Sequence, residues 1–302
     1  MKRIFNSMVG ICLIIFSSSL MNGDKLSLLD EKFQIGIKEI EEKLDGVMGV
    51  AIKDLKTGKS FFLNEKEIFP QASSIKITIL LEVFKQAEEG KLKLDEFIEL
   101  KESQKVRGSG ILINLGYPTL SLSIKDLCVL MIVLSDNTAT NILIDRIGMD
   151  SVNRRMDSFG FKNTKLKRKM MDLETAREGM ENISTPLEIM ELLERIGREN
   201  AIKDPFRFEL LKILSIFKES PLRSGIPEDV SIANKPGELE AVRCDSGIVY
   251  LKERPYIICV MTTYLRNGKE GEEAITSISR IAFEHFLRIQ SYSEYGRLLP
   301  QH

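Results

Sequence analysis

Ser73 and Lys76 stand three residues apart in Gln71-Ala72-Ser73-Ser74-Ile75-Lys76, where a long apolar-periodic segment begins. On a helix this spacing puts both side chains on one face. A serine hydroxyl is a weak nucleophile until a neighbour takes its proton. A lysine whose charge is disfavoured by burial or by a second cation can be that neighbour. The chemistry implied is attack on an acyl carbonyl. Ser-x-x-Lys is a short pattern, and Ser215-Ile216-Phe217-Lys218 also fits it, so the pattern needs support from elsewhere in the chain. Support comes from Ser135-Asp136-Asn137-Thr138, which directly follows the very apolar run 127–134. One such residue caps a helix, and Asp136 or Asn137 would serve. Three in a row between two buried helices call for a further reason. A third group, Lys235-Pro236-Gly237, is expected at the head of a strand.

Composition removes the main rivals. The chain has 302 residues, with 43 Lys+Arg against 44 Asp+Glu, which is no footprint of a nucleic-acid binder. It has two histidines, His285 and the terminal His302. A Ser-His-Asp triad would have to use His285, inside an amphipathic C-terminal helix. His and Cys are too few and too scattered for a metal site, so neither metal nor cofactor is expected.

Lys2 and Arg3 precede an apolar run centred on 9–16, followed by Ser17, Ser18 and Ser19. This is the form of a secretory signal, read over 1–22, which would become a membrane anchor if left uncleaved. An exported, extracytoplasmic protein is expected, periplasmic or secreted. Cys12 falls in the apolar run. Cys128, Cys244 and Cys259 remain, read as buried free thiols, with a Cys244–Cys259 bridge left open.

The elements that must position these groups follow from periodicity. An amphipathic helix over 24–45 leads to a hairpin of two β-rich runs, 47–55 and 60–63. The helix over 75–87 is apolar nearly all round and ends at Gly90. Ser123 and Asp126 form a capping box ahead of the helix 127–134, and further helices cover 139–147 and 150–159. The long stretch 162–182 has no clear period and reads as a functional loop. Thr185-Pro186-Leu187-Glu188 opens another helix, and Asp204-Pro205 the one after it. After Pro227 come β-rich runs at 230–233, 247–251 and 256–264, then a closing helix over 272–290. The fold class is α/β of the α+β type: one antiparallel sheet built from both ends of the chain, flanked by the terminal helices, with an inserted all-helical part. A single catalytic domain is expected over 24–302, its α/β part from 24–72 and 225–302 and its helical part from 73–224. Ser73 falls at the seam, where clefts form.

In this order the three groups resemble the penicillin-recognising serine hydrolases, specifically the class A serine β-lactamases. The segments 108–112, 134–141 and 222–227 look like class A sequence too. The resemblance implies a β-lactamase/transpeptidase-like fold and a monomer acting on β-lactams or peptidoglycan-like substrates. It makes Ser73 the nucleophile and Lys76 its base. Ser135 relays a proton to the leaving nitrogen, supported by Lys235, whose ammonium also draws an anionic substrate. Asn137 binds the substrate's side-chain amide, Gly237 lies on the substrate strand, and the N–H groups of Ser73 and Glu238 form the oxyanion hole. Two departures stand out. Pro236 replaces a hydroxyl residue, and a proline on a strand belongs at an edge. In the long loop, Met170 takes the place of the glutamate that activates the deacylating water. Glu174 is then the candidate carboxylate, with Asp172 as runner-up. The alternatives to a working β-lactamase are a penicillin-binding hydrolase of cell-wall peptides or small esters, and a non-catalytic binding homologue.

Overall fold

The computed structural model describes residues 25–293 and 295–299. The N-terminal run read as a signal lies outside them, as do Cys12 and His302. The chain opens with α1 (Lys25–Glu41), which stops four residues short of the expected end, and the hairpin β1 (Val47–Asp54) and β2 (Ser60–Leu63). A two-residue strand, β3 (Phe69–Pro70), leads into a 3-10 turn (Ala72–Ile75) and α2 (Lys76–Glu88). Next come β4 (Phe97–Glu99), β5 (Ser121–Ser123), α3 (Ile124–Val133), α4 (Asn137–Ile147) and α5 (Met149–Ser158). The long loop carries the short α6 (Leu173–Arg177) and ends in β6 (Ile183–Ser184), which pairs with β3. Then follow α7 (Pro186–Gly197), α8 (Phe206–Ser215), α9 (Pro221–Ser224), β7 (Ile232–Leu239), β8 (Val242–Val249), β9 (Tyr256–Thr263) and α10 (Gly268–Ser291).

Five strands form one antiparallel sheet in the order β2-β1-β9-β8-β7. Strand alternation divides its apolar residues between two cores. Val50 and Ile52 on β1, with Ile258 and Val260 on β9, pack against Phe33 and Ile37 of α1 and Ile275, Ile278 and Phe286 of α10. Ala51, Ile257, Cys259 and Met261 face the other way, into a larger core built from α2, α3, α4, α7 and α8. Helix α2 lies in the middle of that core: every residue from Lys76 to Phe84 is buried. His285 belongs to the first core, stacked on Phe33 with ring centroids 4.4 Å apart and its Nε2 3.0 Å from Asp30 Oδ1.

One expectation is corrected, and the cysteines are found as the buried free thiols expected. Lys235-Pro236-Gly237 is not at the head of a strand; it occupies the middle of β7, which runs on to Leu239. Pro236 is tolerated there because β7 is the sheet edge and the proline needs no ladder partner on its outer side. Cys244 lies opposite Met261 and Cys259 opposite Ser246, so the two thiols are diagonal neighbours, and both are free and buried.

The approach to Ser73 is held by packing at β1. Gly49 lies against Phe69 and Pro186: a Cβ there would come within 2.5 Å of the Phe69 ring and 2.8 Å of Pro186 Cγ. Gly49→Ala is expected to destabilise the fold by about 1–3 kcal/mol through overpacking. Urea unfolding should show a lower midpoint at unchanged slope.

Candidate active site

Ser73 lies in the 3-10 turn just before α2, and Lys76 is the first residue of the helix proper. Ala72 has φ +46°, a left-handed conformation that a non-glycine residue adopts only under constraint. The turn is pinned from outside. Gln71 N–H donates to Asn182 O at 2.8 Å, and Ser74 Oγ donates to Lys235 O at 2.8 Å. Gly237 packs directly on it: a Cβ on Gly237 would sit 2.7 Å from Gln71 O and Ser74 N and 3.0 Å from Ser73 N. Glycine is needed there for approach, so the edge strand can lie along the backbone that carries the candidate nucleophile.

Lys76 is fully buried and holds the site together. Its Nζ donates to Ser135 O at 2.7 Å, Ser135 Oγ at 3.0 Å and Asn137 Oδ1 at 3.1 Å. Burial and the nearby charge of Lys235 hold its pKa well below the usual lysine value, with Asp136 opposing them. Lys235 reaches the same hydroxyl from the other side. Its Nζ donates to Ser135 Oγ at 3.2 Å and to Pro236 O at 2.9 Å. Burial brings its pKa down to about 7, against the pull of Asp245. Ser135 thus lies between two lysines, and its own φ of +52° marks a strained turn that aims the hydroxyl at them.

The residue between Ser135 and Asn137 builds the turn. Asp136 caps α4 by accepting from Ala139 N at 2.9 Å, and its other oxygen accepts from Ile111 N at 2.7 Å and Leu112 N at 2.9 Å. It is 1% exposed. Asn137 is held between Lys76 and Arg107 O, which accepts from its Nδ2 at 3.2 Å. Each of the three polar residues therefore has its own task.

Two cavities meet at Ser73. One of about 480 Å³ is lined by Ser73, Ser135, Lys235, Gly237, Glu238 and Arg243, among others. The other, of about 160 Å³, is lined by Ser73, Asn137, Met170, Met171, Arg168 and Glu181, among others. The structure thus gathers Ser73, Lys76, Ser135, Asn137, Lys235, Gly237 and Glu238. Glu238 is exposed and its carboxylate pairs with Arg243 at 2.8 Å.

Glu174 is not gathered with them. It lies in the first turn of α6, exposed, and lines neither cavity. Asp172 is spent as the cap of α6, accepting from Thr175 N at 3.1 Å. Met170 occupies the wall beside Ser73 instead, clamped by Asn141, whose Oδ1 accepts from Met170 N at 2.8 Å and whose Nδ2 donates to Met170 O at 3.0 Å. Two carboxylates do line this cavity: Glu238, paired with Arg243, and Glu181, paired with Arg168, whose Nη2 donates to it at 2.8 Å. The clamp and the Arg168–Glu181 pair were not visible in the sequence, because each joins residues 13 or more apart with no spacing rule between them.

A profile of the β-lactamase enzyme family matches residues 32–286. The chain belongs to this family. Within it the chain is of the class A serine β-lactamase-like type. An imipenem-hydrolysing β-lactamase of Enterobacter cloacae is 29% identical over 283 residues, which cover 90% of this chain and 96% of the relative. A solved β-lactamase from Sphaerobacter thermophilus superposes with a TM-score of 0.76 at 29% identity, covering 84% of this chain and 96% of its own. The solved protein PBP-A superposes with a TM-score of 0.78 at 27% identity, over 85% of this chain and 96% of its own. A leucine-to-glutamate mutant of PBP-A has been solved as an acyl-enzyme complex with penicillin G. Among the described residues no helix is long and apolar enough to cross a membrane.

Asp136 joins the family's site to its scaffold through three charge-assisted hydrogen bonds. Asp136→Ala, which leaves three backbone donors without their acceptor, is expected to cost about 3 kcal/mol or more. Asp136→Asn should cost less, and thermal or urea unfolding of the two variants tests the order.

Proposed function

We propose that this protein is an exported, penicillin-binding serine hydrolase of the class A type, which forms its acyl-enzyme on Ser73 and releases it slowly. The observation that carries the reading is Met170. A thioether stands where the cavity wall beside Ser73 needs a base for water, and the two carboxylates lining the cavity, Glu181 and Glu238, are tied to Arg168 and Arg243.

The steps follow from the charges. Neutral Lys76 takes the Ser73 proton as Oγ attacks the acyl carbonyl, and the N–H groups of Ser73 and Glu238 stabilise the oxyanion. Ser135, between the two lysines, passes a proton to the departing nitrogen, which breaks the amide. The Lys235 ammonium attracts an anionic substrate, and Asn137 orients the substrate's side-chain amide. Water then meets no general base, and general-base help is typically worth about 10²–10⁴-fold. The natural substrates on this reading are cell-wall peptides or small esters, with β-lactams as trapping analogues. An efficient β-lactamase remains the second reading, favoured by Glu181, which would act if it left Arg168.

Intact-protein mass spectrometry after a pulse of benzylpenicillin tests the proposal. The expected result is an adduct that persists, is absent from Ser73→Ala, and turns over about a hundredfold faster or more in Met170→Glu. An adduct that forms and vanishes while drug is consumed would establish the second reading. No adduct on folded protein would leave a non-catalytic binding homologue.

The pH dependence of acylation should be bell-shaped. The rate rises as Lys76 loses its proton, at a pH well below that of an ordinary lysine, and falls as Lys235 loses its ammonium near pH 7. A stopped-flow profile with a single limb would remove one of the two lysines from its role.

A further inference from the structure

Arg243 lines the large cavity beside Lys235, a place that suggests a second cation for an anionic substrate. Its partners exclude that role. Nε donates to Glu272 Oε1 at 2.7 Å, Nη1 donates to Leu239 O and Val242 O, both at 2.9 Å, and Nη2 lies 2.8 Å from Glu238 Oε1. The start of α10 closes the remaining side: a Cβ on Gly268 would come within 2.3 Å of Nη2. The side chain is 14% exposed, and every nitrogen of its fork is committed. A substrate carboxylate would have to displace one glutamate and lie next to the other. Lys235 differs, because its Nζ donates only to neutral acceptors, Ser135 Oγ and Pro236 O. Of the two cations on this cavity, Lys235 is the one free to meet an anion.

What Arg243 holds is backbone. The turn between β7 and β8 has two residues, Glu240 and Ala241, since Leu239 pairs with Val242. Such turns favour glycine or asparagine where φ is positive, and here Ala241 has φ +58°. A turn without those residues is strained and needs support from outside. Leu265 N gives some, donating to Ala241 O at 3.2 Å. Arg243 adds more: its Nη1 joins the carbonyls on both sides of the turn. The same guanidinium takes the carboxylate of Glu238, which lies directly opposite it in the ladder, and Nε fastens the hairpin to α10 through Glu272. The Glu238 side chain is 70% exposed, so that pair contributes little by itself, and the two carbonyl bonds carry the hold. The held segment matters because Glu238 lines both cavities at Ser73. Its N–H is the second donor of the oxyanion hole in the proposed reaction, one residue before the clasped turn.

We propose that Arg243 is a positioning residue for acyl transfer: it binds no substrate anion, and by clasping the β7–β8 turn it fixes the Glu238 N–H against the reacting carbonyl. The inference rests on the reading of Ser73 as the nucleophile. It follows that neutral and anionic acyl donors depend on Arg243 alike.

Arg243→Gln removes the fork and its charge. Adduct formation with benzylpenicillin, and the burst of nitrophenolate from the neutral ester p-nitrophenyl acetate, are measured against concentration. The maximal rate is expected to fall about 10–100-fold for both at an unchanged half-saturating concentration, since a small misplacement of a catalytic donor costs on that order. A loss confined to benzylpenicillin, with a raised half-saturating concentration, would make Arg243 an anion binder and overturn the inference. An infrared difference spectrum separates positioning from a merely structural role. The acyl-enzyme made with benzylpenicillin ¹³C-labelled at the β-lactam carbonyl should show its ester band at higher wavenumber in Arg243→Gln, because a misplaced N–H polarises the carbonyl less. A rate that falls with the band unmoved, or a rate that does not fall, overturns the inference. If Arg243→Gln does not fold, Arg243→Lys is read in the same way, because it keeps stem and charge but cannot reach all four acceptors. If the parent takes no adduct, the reading of Ser73 fails by itself. The inference is then decided by ¹⁵N relaxation: a lower order parameter at Glu238 in the variant, with residues 232–235 unchanged, supports it, and an unmoved value overturns it.

Discussion

The site depends on one buried lysine. Lys76 starts the central helix of the larger core, where solvation of a charge is lost, and its three hydrogen bonds all go to the turn between α3 and α4. A buried lysine that must find acceptors fixes that turn in place, and the turn fixes Ser135. The same burial that makes the charge costly makes the neutral amine accessible well below the pH at which an ordinary lysine loses its proton, which the proposed proton acceptor for Ser73 needs. Packing and chemistry therefore have one origin. The helix cannot be buried as deeply as it is without changing the basicity of its first residue.

The sheet supplies the opposite wall by the same economy. An edge strand has backbone groups without a ladder partner, which elsewhere is a liability. Here the edge is β7, and Gly237 lets it close on the turn of Ser73 while Ser74 bonds to Lys235 O. Pro236 fits this edge because its missing N–H is not required on the outer side, although it brings no hydroxyl to the cavity. The wall therefore offers the cavity Lys235 and backbone groups rather than a side-chain hydroxyl from position 236.

The sheet built from both chain ends, the buried α2 and the three polar groups were legible because each rests on a local rule: alternation, helical spacing, or polar residues where one cap would suffice. Ser73, Lys76, Ser135, Asn137 and Lys235 come together as their order in the chain implied. The extent of β7 was obscured by Pro236 and Gly237, which read as strand breakers unless the strand is known to be an edge. Glu174 was proposed from alignment with a motif, and its orientation depends on where α6 starts. That start is set by Asp172 capping Thr175, a local preference that turns Glu174 outward.

The loop that carries Met170 has kept its architecture without the carboxylate. Asn141 binds both backbone groups of Met170, Asn182 Oδ1 accepts from Lys167 and Arg168, and Arg168 reaches Glu181. These bonds hold the residue at the cavity wall whatever its side chain is. A loop held so firmly by its backbone can exchange the group at its tip with little effect on the fold. On the proposed reading, the lifetime of an acyl group on Ser73 is set by one side chain at 170, while the ability to form it is set by a separate network of Lys76, Ser135 and Lys235. Because the two networks share no side chain, attachment and release can change independently within this fold.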